Sequence, residues 1–403
     1  VQELYNAGGH ANAFPSERRE YLLWIDDILR TPPRTWQGFQ AADQLSLVYD
    51  FAKAFPPPVI EHLKLYWESW LMRDRDTADC VHNQYHQIYT PWRPVGSDYV
   101  DRTGDWRGNK SFYRESYCRY MSTMNFNHTA AIGALLGGQF IGAEKAIADG
   151  RYGLEMFPLR LWAWYDGTTQ ESIDHYYLAI TMTDQKTFAD YAPAAFDRLM
   201  GRSTLWKTME ELATCYHPGL KRYVSPAGRS TPFYATQVQD GVMHIAHAMA
   251  RNGALTDLDK IQTREQEMRA HATNKPPIIG HDLPPRRVAM QAIKSPWAPE
   301  WMSDVFESKP LPFEVTSTFR QWGAHLKEPK WKRSYLGTHY GLTSYDYATS
   351  PTINLQGLWK RSPGPISGAA DLGQLLLRFG YNRVNFIDTM KGGTLGNMGG
   401  TLA

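Results

Sequence analysis

Three short runs of this chain gather side chains that hold anions and move protons. The first is Asn125-Phe126-Asn127-His128, set among small apolar residues in MSTMNFNHTAAIGALLGG. Asparagine is a poor former of helix interiors, so two of them in a helix-like run need a reason. Asn127 and His128 projecting into a cleft is one reason; polar groups satisfied inside a core is the other. The second run is Asp166-Gly167-Thr168-Thr169-Gln170-Glu171, followed by Ser172-Ile173-Asp174-His175-Tyr176-Tyr177. Histidine moves protons near neutral pH, and tyrosine does so when its pKa is perturbed. On a helix His175 and Tyr176 are about 100° apart, so both can border one cavity. Glu171 stands four residues before His175 and can orient its ring. The third run is Pro226-Ala227-Gly228-Arg229-Ser230-Thr231-Pro232-Phe233-Tyr234. Arginine grips a carboxylate through two parallel hydrogen bonds. A cation near the Tyr234 phenol lowers its pKa and favours its use as a base.

Other groupings are less directed. His82 and His86 are four apart, and His244 and His247 three apart with Asp240 nearby, spacings compatible with a metal on one helix face. Neither carries the glutamate of HExxH, and no metal or other cofactor is expected. Arg333-Ser334-Tyr335-Leu336-Gly337-Thr338-His339-Tyr340 brings another arginine, tyrosine and histidine together, with His339 and Tyr340 as candidate walls of a cleft. The segment from Pro91 to Lys110 is rich in Gly, Pro, Arg and Trp and reads as a long loop. Its Trp92, Arg93, Trp106 and Arg107 suit sugar faces and carboxylates.

An asparagine, histidine, tyrosine and arginine set without an evident acidic pair fits β-elimination on uronic-acid polymers. The C5 proton of a uronate lies next to a carboxylate, whose charge must be neutralised before the proton can leave. A base then takes that proton, and an acid protonates the departing O4. The runs NFNHTAAIGALLGG and DGTTQESIDHYY resemble the helical-toroid polysaccharide lyases. With PAGRSTPFY and RSYLGTHYGL, the chain is most similar to polysaccharide lyase family 38, whose members act on alginate or glucuronan. That resemblance implies Asn127 as carboxylate neutraliser, His175 as neutraliser or base, and Tyr234 as base and acid with Arg229 beside it. Related lyases place the tyrosine where Tyr176 stands, and others use the histidine after the asparagine, here His128. A hydrolase would instead need two carboxylates, with Asp166 and Asp174 or Glu171 as candidates. A non-catalytic sugar-binding protein is the third reading.

Helical periodicity predicts helices over 17–29, 40–55, 59–72, 111–148 with a break at Gly137-Gly138, and 155–165. A capping-box pattern at Thr168 and Glu171 starts another over 168–183. Further helices are expected over 188–200, 203–216, 237–251 and 256–270. From 316 to 340 helix and strand are both compatible. Together with the resemblance, paired helices predict an all-α (α/α) toroid or barrel of six to seven hairpins, a single domain over 1–403 with a short irregular C-terminal segment.

Composition narrows the partners. The chain has 403 residues, 43 Lys plus Arg against 41 Asp plus Glu, and 13% aromatic residues. Near-balanced charge argues against a nucleic-acid binder, and no run approaches the ~20 apolar residues of a membrane span. The expected partner is an anionic polysaccharide, met by a few clustered arginines. Cys80, Cys118 and Cys215 allow one disulfide and a free thiol, or three thiols. A start at Val1 without methionine fits a processed, secreted or periplasmic protein.

Overall fold

The computed structural model describes residues 41–71, 128, 131–158, 175–225, 240–250, 285–319, 330–345 and 355–377. The chain divides into two compact units, Val1–Phe157 with Asp184–Arg202, and Pro158–Thr183 with Ser203–Ala403.

In the first unit, α1 (Ala41–Phe51) buries Ala42, Leu45 and Val48, three residues apart along one helix face. Pro56 stops the chain and Pro57 opens α2 (Pro57–Leu71), where a missing N–H costs nothing. A wide, π-helical turn over Gly133–Gly137 runs into α3 (Gly138–Ile141). The predicted break at Gly137-Gly138 is displaced to Gly142, whose left-handed φ of 74° ends the helix. Gly137 and Gly138 instead lie buried, and the Trp67 ring occupies the space a Cβ at Gly137 would fill. In α4 (Glu144–Pro158), Gly150 lies against the backbone of Leu135; a Cβ there would come within 2.3 Å of that amide nitrogen.

Two predicted helices, 168–183 and 188–200, are differently divided. One continuous helix, α5 (His175–Tyr191), covers the gap between them, and α6 (Ala195–Cys215) follows after Pro193. Asp184-Gln185-Lys186 reads as a polar interruption, yet all three are buried. Lys186 holds Asp190 at 2.5 Å one turn on, and Arg151 grips Asp197 at 2.9 and 3.0 Å. Paired in this way, charged groups can remain inside. The Tyr191 hydroxyl donates to Asp50 at 2.6 Å, and Tyr49 donates to the Leu136 carbonyl at 3.0 Å. Burial pushes the Tyr49 phenol up to about 12; burial, then Asp50, pushes Tyr191 up as well.

The second unit overturns the all-α expectation. Its helices are followed by a five-stranded antiparallel sheet in simple up-and-down order: β3 (Phe313–Phe319), β4 (Lys330–Leu336), β5 (Tyr340–Tyr345), β6 (Leu355–Lys360) and β7 (Leu372–Leu377). A two-stranded hairpin, β1 (Tyr216–His217) with β2 (Arg222–Tyr223), leaves the end of α6. The expected helical toroid with a short irregular tail is therefore incorrect. The cause lies in the period: in β4, Lys332, Ser334 and Leu336 point inward while Trp331 and Arg333 are exposed. This is alternation of two, carried by polar residues that helical periodicity does not register. A helical core gathers residues of α5 and α6 with α7 (Asp240–Met249), α8 (Pro285–Lys294) and α9 (Glu300–Ser308). A second cluster joins Leu220 and Val224 to Leu336, Leu358, Ile366 and Leu372 of the sheet region.

Candidate functional site

The sequence candidates fall into three groups. Asn127, Arg229, Tyr234, Trp92, Arg93, Trp106 and Arg107 lie outside the described residues, as do Asp166, Glu171, Asp174, His82, His86, Cys80 and Cys118. His128 lies in the first unit and is fully buried, with Gln185 at 3.1 Å. In this arrangement the amide nitrogen donates, so the ring nitrogen Nε2 accepts. His175 opens α5 in the second unit and is also buried, with Tyr176 next in the same helix. Of the paired histidines in α7, His244 is buried and His247 half-buried, and burial lowers the pKa of His247. Among the described residues no group of three or more His, Cys, Asp or Glu side chains gathers as a metal site would require.

His339 and Tyr340 stand together at the β4–β5 turn, both exposed. Around them is a feature that sequence reasoning missed. Tyr340 pairs with Trp359 across β5 and β6, and Trp359 pairs with Gly373 across β6 and β7. Paired residues share a sheet face. The Trp359 indole lies over Gly373, where a Cβ would come within 2.2 Å of the ring. The Tyr340 ring lies over Gly337 in the same manner and stacks on Tyr335 at 5.8 Å and 29°. Each ring thus packs against a glycine and keeps part of its surface open to solvent. Tyr340 is 46% and Trp359 41% exposed, with Leu342 and Leu375 in the neighbouring row. Arg333 is exposed on this face, as is Glu314, which pairs with Tyr335. The signal was present as Trp331, Arg333 and Tyr335 in alternation, followed by Tyr340 and Trp359.

Opposite chemistry occupies the inner face. Lys332, fully buried, contacts Glu211 directly and lies 3.4 Å from both the Cys215 thiol and Ser225 Oγ. Tyr223 donates to the same Glu211 oxygen at 2.8 Å. Burial pushes the Lys332 amine well below its ordinary range and the Cys215 thiol up. Cys215 is a free thiol, and burial keeps it in its less reactive, protonated form. His217 receives the amides of Gly219 and Leu220 on Nδ1 at 3.1 and 3.2 Å, so its proton sits on Nε2, which donates to Gly337 at 2.7 Å. These contacts, with burial lowering its pKa, suit a neutral ring that ties the β1–β2 hairpin to the β4–β5 turn. This inner cluster is therefore structural.

No protein-family profile, curated protein or solved structure matches the chain. Chemical capability is thus read from the residues alone. The outer sheet face offers flat apolar rings edged by a guanidinium, a surface suited to the C–H face and carboxylate of an acidic sugar. Among the described residues, no helix is long and apolar enough to cross a membrane.

Proposed function

We propose that this chain is a polysaccharide lyase that cleaves a uronic-acid polymer, alginate or glucuronan, by β-elimination. The observation that carries the reading is the row of outward-facing rings, Tyr340 and Trp359, on a sheet face that also presents Arg333. Pyranose rings stack on such faces, and a guanidinium supplies the charge that a uronate needs.

The proposed chemistry uses the three sequence runs. Asn127 neutralises the substrate carboxylate, with His175 as second neutraliser or as base. Tyr234 or Tyr176 takes the C5 proton and returns a proton to O4, with Arg229 lowering the phenol's pKa. His128, enclosed and bonded to Gln185, fits a positioning role for the Asn127 beside it in sequence. Electrostatic stabilisation of the intermediate is the largest expected contribution, as in other reactions that build up an oxyanion.

Incubation with alginate and glucuronan tests the proposal. New ultraviolet absorbance from an unsaturated uronide end is the expected product signal. Reducing ends without that absorbance would indicate a hydrolase, and polymer binding without turnover a non-catalytic protein; either outcome rejects the lyase reading.

A further inference from the structure

Register sorts the outer face of the five-stranded sheet into three rows. Tyr340, Trp359 and Gly373 form the first. Glu314, Tyr335, Leu342, Gly357 and Leu375 form the second. Thr316, Arg333, Ser344 and Leu355 form the third. Each row lies two residues further along the strands, so all three share one face. Leu342 and Leu375 are exposed and flank Gly357, where an added Cβ would meet them at 3.7 and 3.5 Å. The middle row is therefore apolar across β5 to β7.

The two ends of this face differ in chemistry. Tyr340 and Trp359 offer exposed ring surface with polar edges. At the other end stands the exposed Arg333, with Ser344 paired beside it. Among the described residues no ion pair engages the Arg333 guanidinium, so it can take a carboxylate from solution. Two steps of two residues separate the ring row from the arginine row, about 13 Å along the strands and the length of about three linked pyranose units. Glu314 is exposed on β3, at one side of the second row. Its charge repels a polyanion and directs an acidic chain over β4, β5 and β6 instead.

We infer that this face is a holding site for an acidic oligosaccharide of about three units or more, lying along the strands with one sugar ring on Tyr340 and Trp359 and a carboxylate further along the chain on Arg333. The inference rests on the uronate reading of the proposed function, but not on its elimination chemistry. None of the residues assigned there to proton transfer stands in the three rows, and no bond is made or broken on this face. The rings accept any sugar with an open C–H face. Arg333 selects acidic sugars, and only in a chain long enough to reach it. Length and acidity are therefore read together.

Calorimetric titration with glucuronate and mannuronate oligomers of two to five units tests the inference. The full chain carries Tyr176→Phe and Tyr234→Phe in this experiment, so that no oligomer is consumed. Affinity is expected to rise about tenfold between two and four units, the scale of one charge-assisted contact. In proteins of unchanged circular dichroism, Arg333→Gln removes that rise and leaves the disaccharide as it was. Trp359→Ala weakens every length about fivefold. Glu314→Gln tightens the acidic tetramer, and carboxyl-reduced oligomers show no rise with length. Equal affinity at all lengths, a rise that survives Arg333→Gln, undiminished binding in Trp359→Ala, or no binding would overturn the assignment. Ultraviolet-absorbing product from the native chain without these dependences rejects the holding site and leaves the lyase reading standing. The dependences without product reject the lyase reading and leave the holding site standing.

Discussion

Lys332 and Glu211 show how much a single buried contact can decide. Glu211→Gln removes the charge opposite a fully buried amine and leaves the Tyr223 hydroxyl with a weaker acceptor. Weakening a buried hydrogen-bonded cluster of this kind costs about 1–3 kcal/mol, so the urea midpoint is expected to fall. The double change Glu211→Gln with Lys332→Met is expected to recover part of that loss. Lys309 carries a pH signature. Its pKa is lowered from 10.5 to about 7 in the fold, so the unfolded chain holds more protons between those values. This group therefore adds stability as pH rises from about 7 toward 10.5, and that stability is lost as pH falls back through 7. Lys309→Met removes that dependence; unfolding both proteins in urea at pH 7 and pH 9.5 should show the smaller pH slope in the variant. None of this was readable in advance. A lysine beside an arginine and a tryptophan in KWKRSYL looks like surface charge, and only the strand register separates buried Lys332 from exposed Arg333.

At the scale of elements, close helix contacts and the sheet face carry the tests. Gly150→Ala places a Cβ against the Leu135 backbone, which has no room to yield. A loss of about 1–3 kcal/mol is expected from that overpacking, read as a lower thermal midpoint. On the sheet, Trp359→Ala removes one ring of the outward row. Its cost to polyuronate binding is expected to be about 1 kcal/mol, the scale of one aromatic contact, measured by retardation in polymer-containing gels. Helices with apolar stripes were legible: 40–55 and 237–251 contain α1 and α7. The boundary between α5 and α6 was not, because Asp184, Gln185 and Lys186 resemble a loop until their buried partners are seen. Helix and strand stayed undecided over 316–340 for a related reason. The inward positions of the strands include Lys332, Ser334, Thr343 and Gln356, so polarity does not mark which side faces in.

For the whole molecule, the near-neutral charge and aromatic excess can now be placed on particular residues. Some of the rings pack the interior, as Trp67, Trp297 and Tyr216 do, while Trp331, Tyr340 and Trp359 face outward. The expectation of an all-helical chain gives way to helices followed by an antiparallel sheet, and Tyr340 and His339 stand at the edge of that sheet's open face. Of the proposed reaction set, His128 and His175 are both buried; Asn127, Arg229 and Tyr234 rest on the sequence runs alone. Whether the chain performs β-elimination is decided by one assay. Alginate and glucuronan are each incubated with the protein and with His175→Ala, Tyr176→Phe and Tyr234→Phe, and ultraviolet absorbance is followed. Unsaturated uronide ends are expected from one of the polymers, lost in His175→Ala and in one of the two tyrosine variants. Absence of that absorbance on both polymers, or full activity in all three variants, would contradict it.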